Sequence, residues 1–311
     1  MSDRHFSCRS AAGRGLLGNL LVLSQYVNTL EQRPAVKGEK LPLDLKRAAA
    51  LCAAIRAKRE AFASRFVPEN WNLMIDGDTT NMKTWKLETI GDCIQTKECN
   101  SFIGGKPKLP PDMDIPKCEL CGKKMAFMFQ VAFPQGHAWA GKSMAVFYCV
   151  ESWHDRYCIP ELPQHIVDAD IPEQFLSNYE RNFRVLVFGT SLGKMVDAYQ
   201  EKVVFQALQT VPEKQTKQEW DFVIGGRPIW IMRKSEEPNT IAGIEKPVLL
   251  LQVKEELHFS ILPTAPKQAN PFAPGGLSLF PWYELFAGNR IYFWGVQSNG
   301  TEWVYISVQC P

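Results

Sequence analysis

No window of this sequence approaches the ~18–20 consecutive apolar residues of a membrane-spanning helix, so no helical span is expected. Excess charge of one sign is also missing. The 35 Lys and Arg face 33 Asp and Glu, and a net of +2 supplies no field that would require nucleic acid or membrane as a partner. The nine cysteines form no even, regularly spaced set. They are scattered and include one Cys-x-x-Cys, which points to reduced thiols and a metal site in a cytosolic protein, not to a disulfide framework. Histidine is scarce: His5, His137, His154, His165 and His258 stand in no zinc-protease, esterase-elbow or deaminase spacing. An enzyme is therefore not expected. Arg4, Arg9 and Arg14 precede an apolar run over residues 16–23 that resembles a signal peptide. Gly18 and Asn19 interrupt that run and no small-x-small cleavage site follows, so the expected location is the cytoplasm.

What the chain does contain is a motif written twice. Residues 102–107 read Phe-Ile-Gly-Gly-Lys-Pro and residues 223–228 read Val-Ile-Gly-Gly-Arg-Pro. Each is followed by an apolar run ending in Gln-Val, at Gln130-Val131 and at Gln252-Val253. Gly104 to Gln130 is 26 residues and Gly225 to Gln252 is 27. Two copies at so long a period imply two related units, too few to stack as a solenoid. The Gly-Gly pairs lack the phosphate-loop pattern, and a proline removes an amide from each turn. Gly104, Gly105, Pro107, Gly225, Gly226 and Pro228 are expected to be structural turns, with positive φ at the glycines and an extended exit at the prolines.

Leu16, Leu20, Leu23, Val27 and Leu30 share a helical face, and a second helix is expected over residues 43–66. From about residue 70 the pattern becomes short alternating or wholly apolar runs between turn signals, which reads as strands. An N-cap at Asp170 with an early Pro172 predicts a helix through about Asn182. Asn299-Gly300 predicts a hairpin. The expected class is α+β: N-terminal helices followed by two related, mainly antiparallel β-rich repeats. The expected divisions are a helical region over 1–69, a first repeat with the cysteine cluster over 70–190, a linker over 191–219 and a second repeat over 220–311.

Cys118-Glu119-Leu120-Cys121-Gly122 is the sharpest local motif. Two thiolates three positions apart can grip one zinc ion from a tight turn, and the following glycine lets the backbone fold back toward the sulfurs. Cys149 and Cys158 would complete a four-cysteine structural site, with His154 as a competing ligand. The alternative is a lone knuckle whose other cysteines are merely buried. Trp139, Trp153, Trp230, Trp282, Tyr283 and Phe286 fall in loops or at hairpin ends, where aromatic anchors suit recognition of a polypeptide.

The Ser101–Pro110 segment, Cys118-x-x-Cys121-Gly122, the run Met125-Ala126-Phe127-Met128-Phe129-Gln130-Val131 and Val146-Phe147-Tyr148-Cys149 together resemble the YwqG family of bacterial domains. That family is similar to the eukaryotic programmed cell death protein 2 family. The likeness covers about residues 85–160, and residues 220–296 as a weaker second copy. It implies a non-catalytic binding fold with ligands at Cys118, Cys121, Cys149 and Cys158, although the eight residues before Cys158 exceed the family's usual gap. Its eukaryotic members act as dedicated chaperones in ribosome assembly, and bacterial ones are associated with toxin–immunity loci, including those of type VI secretion. The expected function is thus an immunity protein neutralising one cognate toxin, or a chaperone for one client polypeptide. Two other readings stay open: a zinc-ribbon protein binding nucleic acid through lysines such as Lys106, Lys117, Lys123 and Lys124, and a hydrolase using Cys149 or Cys121.

Overall fold

The computed structural model describes residues 83–91, 93–152, 159–160, 170–214, 217, 219–231, 237–270 and 275–309. They belong to the unit Thr80–Pro311, and Met1–Thr79 forms the other. The helices expected over residues 16–30 and 43–66 lie outside the described residues. The described part is mainly β, which corrects the α+β expectation. Its one α-helix is a seven-residue segment.

The first half runs β1 (Thr84–Thr89), β2 (Phe102–Ile103), β3 (Lys108–Leu109), β4 (Ala126–Ala132), β5 (Lys142–Tyr148), β6 (Asp170–Ile171), α1 (Glu173–Tyr179), β7 (Phe183–Gly189) and β8 (Lys194–Met195). The second runs β9 (Gln206–Glu213), β10 (Phe222–Gly225), β11 (Thr240–Ile241), β12 (Ile244–Glu245), β13 (Val248–Val253), β14 (His258–Ser260), β15 (Trp282–Glu284), β16 (Arg290–Ser298) and β17 (Thr301–Gln309). Ten of these strands make one antiparallel sheet in the order β17-β16-β13-β10-β1-β9-β2-β4-β5-β7.

That order is a mirror of itself. Read inward from both ends it pairs β17 with β7, β16 with β5, β13 with β4, β10 with β2, and β1 with β9. The register repeats too: Phe102 faces Gln130 and Ile103 faces Phe129, as Val223 faces Gln252 and Ile224 faces Leu251. Even the irregularities match, with one break in register between Phe127 and Phe129 and another between Leu249 and Leu251. The first strand of each copy is exchanged. β1 pairs with β9 and β10, and β9 with β1 and β2. Glu88 and Gln209 lie opposite one another and are separated in sequence by the interval that separates Gly104 from Gly225. The pseudo-two-fold axis therefore passes through that pair.

This exchange corrects the domain divisions. The stretch 191–219, expected to be a linker, contains β9, a central strand, and the second copy begins there and not at 220. Gln206 and Gln209 face solvent and Pro212 interrupts the run, so only Ala207 and Leu208 record the burial. The core crosses the axis as well: Phe129 packs its ring at 5.1 Å from Phe222 and 6.1 Å from Phe293.

Both Gly-Gly turns are left-handed, Gly104 and Gly105 at φ 58° and 66°, Gly225 and Gly226 at 63° and 71°. At Gly104 a side chain would also collide with backbone, its Cβ falling 2.4 Å from the Val204 carbonyl oxygen. The chain leaving each turn is held by the repeated glutamine. Gln130 Oε1 accepts from the Lys108 amide at 3.2 Å and Gln252 Oε1 from the Ile229 amide at 2.9 Å.

At the sheet edges, the Tyr179 hydroxyl accepts from the Ile306 amide at 2.9 Å and donates to the Ile306 carbonyl at 2.6 Å, so α1 covers part of β17. An ion pair from Lys142 of β5 to Glu302 of β17 helps draw the sheet toward closure. The expected N-cap at Asp170 is corrected: Pro172 caps α1, and the Asp170 carboxylate instead accepts from Asn239 and Thr240. The hairpin at Asn299-Gly300 forms, with φ 51° and 79° at its two turn residues.

Candidate metal centre

The Cys-x-x-Cys segment is a short hairpin closed by main-chain bonds. Lys117 bridges to Lys124, the Cys118 amide donates to the Lys123 carbonyl at 2.8 Å, and the Gly122 amide returns to the Cys118 carbonyl at 2.8 Å. Gly122 sits at φ 73° with open space where a side chain would be, so the turn asks for glycine by dihedral alone. Cys149 arrives from the end of β5, its amide fixed to the Asn182 carbonyl at 2.8 Å. The knuckle is clamped to the same α1–β7 junction. The Glu119 amide donates to the Arg181 carbonyl at 2.8 Å, and Arg184 pairs with the Glu119 carboxylate at 2.9 Å.

These constraints bring the sulfurs of Cys118, Cys121 and Cys149 within 4.8 Å of one another, and those of Cys121 and Cys149 to 3.7 Å. Tetrahedral Zn–S bonds of about 2.3 Å place sulfurs about 3.8 Å apart, so the set fits such an ion. Cys118 and Cys149 are buried and Cys121 is half-buried. The Cys118 thiol is pulled down to about 5, chiefly by its hydrogen bond from Cys149; the amides of Leu120 and Cys121 add to this against burial. Cys149, the donor, is pushed up by that bond and by burial. The cluster thus favours ionisation of Cys118, with backbone amides aimed at its sulfur, the environment a thiophilic cation requires.

The second half handles the same place without sulfur. Between its Gly-Gly turn and its glutamine strand lies the hairpin β11–β12, pinned by parallel pairing of β11 to β6 and by the Asp170 carboxylate. Ile241 is wholly buried there. Both hairpins are held by main-chain bonds; the first adds a thiol cluster and the second a buried isoleucine.

Cys158, His154 and Trp153 lie outside the described residues. The aromatic expectation needs correcting for three positions. Trp139, Tyr283 and Phe286 are core residues exposed by no more than 1%, so they present nothing to a partner. Trp230 is half-buried against Tyr292 and Trp294, with centroids at 4.7 and 6.1 Å. Trp282 is half-buried in a stack between His258 at 4.4 Å and Phe280 at 4.5 Å.

Three features had no reading in the sequence. One is the symmetric role of Gln130 and Gln252, whose signal was the repeat itself. Another is His137, buried between Phe133 and Trp85, its Nδ1 accepting from the Trp139 amide at 3.1 Å. The third is a cleft of about 850 Å³ beside the knuckle, bounded by residues 113–117, by the 196–202 segment and by Thr264, Ala265 and Pro266. No protein-family model matches the chain, and no curated protein matches it either.

Proposed function

We propose that this chain is a non-enzymatic polypeptide-binding protein whose first repeat is braced by one structural zinc ion. Cys118, Cys121 and Cys149 would hold the ion, with Cys158 or His154 as the fourth ligand. The observation that carries this reading is the contrast between the two hairpins. Where the second hairpin pairs with β6 and buries Ile241, the first adds to its main-chain bonds a cluster of three thiols that has no counterpart in the other half. Four protein ligands leave no open position on zinc, which confines such an ion to holding structure. The described histidines are engaged in packing, His137 in the core and His258 against Trp282. The resemblance to YwqG-like domains, carried by the Gly-Gly turn, the knuckle and the glutamine strand, favours an immunity protein that occludes a cognate toxin. A dedicated chaperone is the near neighbour.

The test is affinity capture of the tagged, full-length protein from its native lysate, with mass spectrometry of what co-purifies and elemental analysis of the bound metal. One stoichiometric polypeptide supports the reading, and a secreted toxin selects immunity over chaperoning. Nucleic acid in place of protein would move the lysine-rich knuckle to a zinc-ribbon role.

A further inference from the structure

We propose that the cleft beside the knuckle is the recognition groove for an extended peptide segment that combines an apolar anchor with an acidic side chain. This rests on the polypeptide-binding reading and names the site and the chemistry of the partner. The cleft, about 850 Å³, is of the size that encloses ligands, typically about 300–1,000 Å³. Its apolar surface comes from Met113, Ile115, Val196 and Pro266, over the wholly buried Met125. Met113 suits such a floor because an unbranched thioether reshapes itself around different side chains. Tyr199 holds the floor in place, its hydroxyl accepting from the Phe127 amide at 2.8 Å.

Charge selects the occupant. Lys117 and Lys124 face each other across the knuckle hairpin, and both are exposed. Like charges directly opposite destabilise a strand pair, so this juxtaposition favours an anionic group between them. Neither lysine forms an ion pair among the described residues. Glu151, which lines the cleft, is already taken up by Lys202 and, at 4.0 Å, by Lys123. Asp114 and Glu201 also line the cleft. They disfavour a regular run of phosphates and leave room for a single carboxylate at the lysine pair. A wall of the cleft is the knuckle itself, so any effect of metal on peptide affinity is matched by an equal effect of peptide on metal affinity.

The experiment is selection of a random nonapeptide display library on the zinc-loaded full chain, with the winning peptide titrated as a fluorescent probe. Enrichment of Asp or Glu beside Leu, Ile, Met or Phe is expected. Affinity should fall at least tenfold in the K117E/K124E double variant and in Thr264→Trp, which fills the cleft from its other wall. It should be unchanged in Lys246→Glu, on the hairpin of the second half. Thermal melts of the variants check that each is folded. Enrichment of basic peptides, no enrichment, or a probe that binds K117E/K124E like the parent would overturn the assignment. A single-stranded RNA probe that binds and is lost in K117E/K124E would overturn it in favour of nucleic acid. A natural partner captured equally by parent and K117E/K124E removes the cleft from the interface while sparing the polypeptide-binding reading. Capture of no protein at all removes that reading itself.

Discussion

Gln130 and Gln252 make the same contact from opposite sides of the pseudo-two-fold axis: each accepts a hydrogen bond from the amide two residues beyond the Lys or Arg of its Gly-Gly turn. Both glutamines are almost wholly buried, and Gln252 Nε2 also donates to the Arg227 carbonyl at 3.0 Å. Each thereby satisfies backbone groups that a turn takes out of the sheet ladder. Replacing either by Leu keeps the bulk and orphans those groups, which should destabilise by about 1–3 kcal/mol. Denaturant unfolding of Gln130→Leu and Gln252→Leu measures it. Losses below about 0.5 kcal/mol in both would mean that the repeated residue is retained for something other than the turn.

The thiol cluster makes a metal prediction that does not depend on function. Elemental analysis of the purified chain should find one zinc per molecule. Cys118→Ser, Cys121→Ser and Cys149→Ser should each reduce that occupancy sharply, and chelation should lower the melting temperature of the parent but not of the variants. Zinc binding should also release protons, because the buried Cys149 thiol is held protonated without the ion. Full occupancy in Cys149→Ser would place the ion elsewhere.

His137 gives the fold a pH dependence. Burial pushes its imidazole down to about 4, against an ordinary value of 6.5, with the Leu249 carbonyl opposing. A depressed basic group is neutral in the folded chain while the unfolded chain takes up a proton. Its contribution is therefore complete above pH 6.5 and is lost as pH falls toward 4, by roughly 3 kcal/mol. Urea unfolding from pH 7 to 4.5 should show a steeper loss for the parent than for His137→Gln. Parallel profiles would locate the acid sensitivity in other groups.

The sequence made the second repeat visible where its residues have duties that few side chains can perform. Gly104 and Gly225 must be left-handed, and Gln130 and Gln252 must reach a turn, so those positions carry legible identities. β9 has no such duty. As a central strand it needs only Ala207 and Leu208 buried, and its exposed glutamines and Pro212 read as a linker. Strand exchange is invisible for the same reason, since β1 and β2 are neighbours in sequence and β1 finds its partners in β9 and β10. At the site, spacing made Cys118 and Cys121 legible, and an apolar strand ending in cysteine made Cys149 so. Loop position misled for Tyr283 and Phe286. Tyr283 falls in the three-residue β15 and Phe286 in a single helical turn after it; Tyr283 is tied to the Pro266 carbonyl at 2.6 Å and Phe286 packs on Phe183 at 5.1 Å.

Tyr179 protects an edge that the sheet leaves open. β17 is the last strand on its side, and an unpaired edge invites another strand to join it. The hydroxyl of Tyr179, a buried side chain at the end of α1, occupies both the amide and the carbonyl of Ile306. Tyr179→Phe keeps the ring packing against Phe183 and Tyr305 and removes only the oxygen. Two backbone groups then lose their partner, at about 1–3 kcal/mol for each one left buried and unpaired. If the hydroxyl acts mainly on stability, the variant keeps the parent's state of association and melts lower. If edge protection is its larger role, sedimentation velocity will show concentration-dependent association of the variant at concentrations where the parent does not associate further. A variant that matches the parent in both melting and sedimentation would show that the Ile306 groups are satisfied by water and that the edge is guarded elsewhere.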